Sequence, residues 1–213
     1  MNRDRLHLRE TGAIFRNGAF FRNPVLVGAL GLYPAAAGAF GLKNAAVLAL
    51  LFALTAFPSQ ILMCLFGMFL PKWARPAAAL LATAACFLPA SAAARALMPR
   101  TVAGLGLTAG LTACNSVLYS RAAEYAPEHI LPAVVADAAG CSVGFAGAVC
   151  AVASLRELWT AGGLFGMGSG GAGAGGDLPF AGFVLMGFLA AAVRWADIRR
   201  SRRGVLPPSG RAG

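Results

Sequence analysis

Six long stretches of this chain carry no charged side chain, and that pattern leaves few folds open. Twenty uncharged residues separate Arg22 from Lys43, and 28 separate Lys43 from Lys72. Nineteen lie between Arg75 and Arg95, 20 between Arg100 and Arg121, 18 between Asp137 and Arg156, and 16 between Asp177 and Arg194. The hydrocarbon core of a bilayer takes roughly 17–25 mostly apolar residues per helix. It offers a bare backbone no hydrogen-bond partner, so such runs cross as helices. The pattern predicts an all-α integral membrane protein with six transmembrane helices.

Composition agrees. With 58% hydrophobic and 12% charged residues the chain is far from an ordinary soluble domain, in which roughly 25% would be charged. Six spans and their turns use nearly all of the 213 residues, which leaves one membrane domain and no sizeable soluble one. Expected boundaries are a basic interfacial lead over 1–22, a membrane domain over 23–197 and a basic disordered tail over 198–213. Met1–Arg22, the apolar stretch after it and Ala35-Ala36-Ala37 loosely imitate a secretory signal. Cleavage there would strand the basic C-terminus behind an odd number of helices, so the lead is read as retained.

The net charge of +10 is distributed by side rather than by patch. Alternating spans put the N-terminus, the second–third and fourth–fifth loops and the C-terminus on one side, with 14 of the 18 basic residues. Only Lys43, Arg95, Arg100 and Arg156 fall on the other. That asymmetry places both termini in the cytoplasm of a cell inner (plasma) membrane protein, with the basic ends against anionic lipids. No aromatic residues interleave with the basic tail as base-stacking platforms would, so no nucleic acid is expected as a partner. Cys64, Cys86, Cys114, Cys141 and Cys150 lie in apolar runs without metal-ligand spacing. They read as small packing residues.

Helices are expected over about 23–42, 44–70, 76–94 and 101–120, from near Ile130 to Trp159, and over 178–195. The first is interrupted by Gly31-Leu32-Tyr33-Pro34, because proline removes a backbone donor and clashes one turn back. The fourth holds the polar cluster Thr112-Ala113-Cys114-Asn115-Ser116. One interrupted span leading each half, three helices per half, describes an inverted repeat of three plus three with a site at the membrane midplane. Two unrelated kinks would give the same pattern. The glycine-rich loop between Gly162 and Gly176 has no phosphate-cradle motif.

The segments Asn23-Pro24-Val25-Leu26-Val27, Leu30-Gly31-Leu32-Tyr33-Pro34 and Gly41-Leu42-Lys43-Asn44-Ala45 resemble the start of the small membrane subunits of the Rnf and Nqr electron-transport complexes. Asn115-Ser116 with Arg121-Ala122 is similar to their fourth-helix motif, and Asp137, Gly144 and Ser154-Leu155-Arg156-Glu157-Leu158 with Gly162 to their fifth helix. The Leu-Arg-Glu run favours the Rnf E or Nqr D type. The resemblance implies a subunit of an ion-translocating electron-transport complex that pairs with an inverted sister subunit of the Rnf A or Nqr E type. It has no catalytic site of its own. It also implies a [2Fe-2S] cluster shared between the two, with two thiolates from each.

Tyr33 and Ser116 stand at the two matched ligand positions. Iron–sulfur clusters are held by soft thiolates, and phenol and hydroxyl oxygens are poor substitutes. No cofactor is therefore expected. Cys114 is the nearest thiol, but two residues along a regular helix rotate it by about 200° away from Ser116. Tyr33 reads as a plug filling the cluster's space, with a polar or redox role as alternatives. Asp137 is read either as a structural residue near a partly wet helix start or as part of an ion pathway. Arg156 and Glu157 are read as an ion pair or a contact with a partner subunit. A second function fits the same pattern: a small carrier or channel with a midplane polar site near Tyr33, Asn115 and Ser116.

The charge asymmetry makes a direct prediction. Topology reporters fused at Arg75, Arg121 and Arg200 should read cytoplasmic, and those at Arg100 and Gly170 external. A C-terminal fusion reading external would contradict the six-span count.

Overall fold

Prolines stand in the first turn of four of the helices, because that turn has no use for the N–H that proline lacks. Pro76 lies in the first turn of the helix Arg75–Leu97, Pro99 in that of Pro99–Leu105, Pro132 in that of Leu131–Ala161 and Pro179 in that of Pro179–Gly204. The computed structural model describes residues 11, 12, 14, 15, 40–163 and 179–204. Its helices are α1 (Leu42–Phe66), α2 (Arg75–Leu97), α3 (Pro99–Leu105), α4 (Leu107–Leu111), α5 (Ser116–Ser120), α6 (Leu131–Ala161) and α7 (Pro179–Gly204). A π turn over Arg121–Tyr125 and a 3-10 turn over Ala126–Glu128 follow α5. Among the described residues there is no strand.

Three helical stretches are long and apolar enough to cross a bilayer: Leu42–Phe69, Arg75–Leu97 and Leu131–Thr160. A fourth crossing is made if Pro99–Leu105 and Leu107–Glu128 count as one broken span, bent by 82°. The apolar part of α7, Phe180–Trp195, is shorter. The first expected helix, with its interruption at Tyr33-Pro34, lies outside the described residues apart from its last three positions.

The bend falls at Gly106, whose φ of 49° and ψ of −124° suit a residue without Cβ. A second interruption covers Thr112–Asn115, where the sequence placed one. There Asn115 takes an extended conformation, and its Oδ1 accepts a hydrogen bond from Val117 N at 2.9 Å. Side chains of this type satisfy the free amides at a helix start. At the other end of the chain, α7 runs to Gly204, past the expected end near 195. The guanidinium of Arg199 lies 4.3 Å from the centre of the Trp195 ring one turn earlier, a contact that supports the extra turns.

The core forms where α1 packs along α6. Phe52 and Phe145 stack with centroids 4.3 Å apart, both fully buried among Leu48, Leu51, Val149 and Val152. Against the other side of α1, α2 turns the small buried residues Ala79, Thr83, Cys86, Ala90 and Ala94 inward. Its Leu81 and Leu88 point out, 72% and 69% exposed. Small residues inside and large ones outside is the inverse of a soluble helix. It follows from a solvent as apolar as leucine, where close backbone packing rather than water exclusion drives association.

That account separates two large-to-small substitutions. Phe145→Ala should lower stability in a detergent unfolding titration by roughly 3 kcal/mol, mainly through lost packing. Leu88→Ala, which removes only lipid contact, should stay within about 0.5 kcal/mol.

Candidate functional site

Three places bring together the polar residues of the spans. The first is the interruption before α5. Asn115 is buried there, Ser116 is half-buried at the first turn of α5, and Cys114 is exposed. The two neighbours of Asn115 thus differ in environment. At the matched ligand position stands a hydroxyl, and the one thiol nearby points away from the bundle interior. An iron–sulfur cluster is held by thiolates converging on one point, and of the two matched positions only Ser116 lies among the described residues. Among the described residues no three His, Cys, Asp or Glu side chains converge in a metal-binding group. Tyr33 and Pro34 lie outside the described residues.

The second place is the end of the bundle that carries Lys72 and Trp73. Asp137, seven residues into α6, is 4% exposed, so it is enclosed by the protein rather than partly wet. Its Oδ1 lies 3.5 Å from Nη1 of Arg121 in the π turn. Its Oδ2 accepts a weak hydrogen bond from the Cys141 thiol one turn on, at 3.6 Å. The Arg121 guanidinium also stands 5.6 Å from the Tyr125 ring centre, and Tyr125 stacks on His129 with centroids 3.8 Å apart. Ser120, Arg121, Glu124, Tyr125 and His129 line an open groove of about 350 Å³. Arg75 Nη1 ties α2 to Glu128 at 3.2 Å, and the Cys64 thiol donates to the His129 carbonyl at 3.3 Å.

Phe15 reaches this end from the N-terminal lead. A Cβ on Gly140 would lie 2.7 Å from the Phe15 carbonyl oxygen, so the lead rests on a notch that only glycine provides. The notch is three residues from Asp137. Packing on a helix, beyond lying along headgroups, is therefore part of what the lead does.

The third place is the opposite end. Arg156 is 1% exposed, with its guanidinium 4.0 Å above the Phe40 ring centre. Glu157 Oε2 accepts a hydrogen bond from the Leu42 amide at 2.9 Å. A carboxylate is well placed at a helix N-terminus, where free amides and the macrodipole favour negative charge. Both residues thus bind within their own chain, across the junction between the first expected helix and α1. Nothing in the sequence links Glu157 to a backbone amide 115 residues earlier. The Arg121–Asp137 pair had a partial signal, since both sit near span ends on the same predicted side.

The groups that the fold brings together are therefore an enclosed ion pair, a capped helix break and a carboxylate clamp, all on spans interrupted or joined where the sequence marks them. No curated protein matches the chain. The sequence model of a family described as "Rnf-Nqr subunit, membrane protein" matches residues 11–195, a stretch that begins in the lead resting on Gly140 and ends at Trp195 in α7. With that match covering all three places, the chain belongs to the Rnf-Nqr membrane subunit family.

Proposed function

We propose that the chain is a divergent, cluster-free membrane subunit of an Rnf/Nqr-type ion-translocating electron-transport complex, of the Rnf E or Nqr D kind. The observation that carries the cluster-free part is the hydroxyl of Ser116 at the start of α5, with Cys114 turned outward. Family membership over residues 11–195 supports the role in a complex. In this reading the chain has six spans arranged as an inverted repeat, with both termini cytoplasmic. It pairs with an inverted sister subunit of the Rnf A or Nqr E type and touches anionic lipids with its basic ends. It catalyses nothing alone.

Such a subunit contributes structure at the midplane rather than an electron relay. The break at Thr112–Asn115 positions polar groups inside the membrane. Asp137 remains a candidate for an ion pathway, although its pairing with Arg121 gives it a structural partner. The buried amide of Asn115 favours one other reading, a carrier or channel of the same fold with a midplane polar site.

Purification of the tagged chain from its own membrane in a mild detergent separates the two readings. Co-purifying flavin, NADH or ferredoxin subunits with a second six-span chain are expected for a complex subunit; a homo-oligomer alone would favour the carrier. Iron and acid-labile sulfide in the isolated, anaerobically prepared chain should be well below stoichiometric. With the sister subunit present, Tyr33→Cys and Ser116→Cys together should raise bound iron, and either change alone should not. Stoichiometric iron with a thiolate-to-iron charge-transfer band in the unmodified chain would contradict the proposal and point to Cys114.

A further inference from the structure

The buried hydroxyl side chains among the helices turn back onto their own backbone. Thr55 donates to Leu51 O at 2.7 Å, Ser59 to Thr55 O at 2.7 Å, Thr83 to Leu80 O at 2.9 Å and Ser142 to Ala138 O at 2.7 Å. A short hydroxyl satisfies itself this way. Gln60 does not. It is 1% exposed, and neither its Oε1 nor its Nε2 has a hydrogen-bond partner among the described residues. The Nδ2 of Asn115, a residue 2% exposed, is in the same position at the helix break.

Gln60 lies on the buried face of α1, one turn before Met63. The buried cluster around Met63 holds Ala79, Ala122, Ala123, Ala126 and Val134, with Cys64, Tyr119 and Tyr125 packed partly buried against it. The elements packed on α1 include α2 and the π turn Arg121–Tyr125. A π turn lengthens the hydrogen-bond register and loosens the local ladder, and such turns recur at functional positions. A buried amide with no partner among the described residues is satisfied by a group small enough to enter. Water is that group, given its two to four hydrogen bonds to buried polar atoms.

We infer that Gln60 holds ordered water inside the bundle, at the seam between α1, α2 and the Arg121–Tyr125 turn. The carboxamide donates through Nε2 and accepts at Oε1, so it can hold water on either side. Asn115 Nδ2 offers a further donor at the interruption before α5. The interior of the spans then keeps a hydrated polar point that depends on no thiolate and on neither of the family's ligand positions.

Two methionines make this testable in the full-length chain. Met63 and Met186 are almost equally buried, at 3% and 2%, but Met186 sits in the apolar cluster with Phe52 and Phe145. X-ray radiolysis generates hydroxyl radicals from bound water in place, so a buried methionine beside water is oxidised and one without water is not. In nanodiscs, Met63 should be oxidised at least about tenfold faster than Met186. The substitution Gln60→Leu should bring Met63 down to the Met186 rate. Equal slow oxidation of both methionines in the unmodified chain would overturn the inference, with no need for the variant to fold. Rapid oxidation of Met63 that persists in folded Gln60→Leu would overturn it as well, by placing the water elsewhere.

Discussion

Hydrocarbon solvates neither a charge nor a backbone amide, and the arrangement of the described spans follows from that one constraint. A polar group carried into the membrane region needs a partner on another part of the chain, on its own helix or in enclosed water. Asp137 finds Arg121, the amide of Leu42 finds Glu157, and the free amide at the start of α5 finds Asn115. These ties sit at the two ends of the α1–α6 seam and at the break in the fourth span, with stacked Phe52 and Phe145 between them. Apolar packing sets how closely the helices approach, and the polar ties set which segments meet.

The same constraint connects structure to function. The family resemblance implies soft ligands at the helix interruptions. This chain keeps an interruption before α5 with an oxygen-bearing side chain at the matched position. The interruption turns a backbone break and the Asn115 amide toward the interior. The end that carries Lys72 gathers more: an enclosed ion pair, an open groove beside it and the lead seated on Gly140.

Much of this was legible in the sequence. The charge-free runs marked α1 and α2 to within a few residues at each end, because charge is the one feature a membrane helix cannot carry casually. The polar cluster around Asn115 marked the break before α5. Gly106 was passed over, since a glycine in an apolar run gives no sign of the backbone angle it adopts. The extension of α7 to Gly204 was read as a disordered basic tail. Charge patterns report solvation, whereas the Trp195–Arg199 contact that favours the helix is a spacing of four from the last span into that tail. Long-range ties were out of reach. Arg156 and Glu157 read as an outer ion pair or a partner contact, while the structure seats them on Phe40 and Leu42. Asp137 read as partly wet because distance from a helix start says nothing about what packs over it.

The central claim is that a charge within the spans is held by a partner in the same chain. A double-mutant cycle on Arg121 and Asp137, read by unfolding in detergent, tests it most directly. Asp137→Asn leaves Arg121 without its counter-charge and should cost roughly 3 kcal/mol, the low end for a buried pair because Arg121 retains some exposure. Replacing both residues with leucine should recover most of that loss, to within about 1 kcal/mol of the unmodified chain. An Asp137→Asn variant as stable as the original, or a double variant no better than the single, would contradict the account.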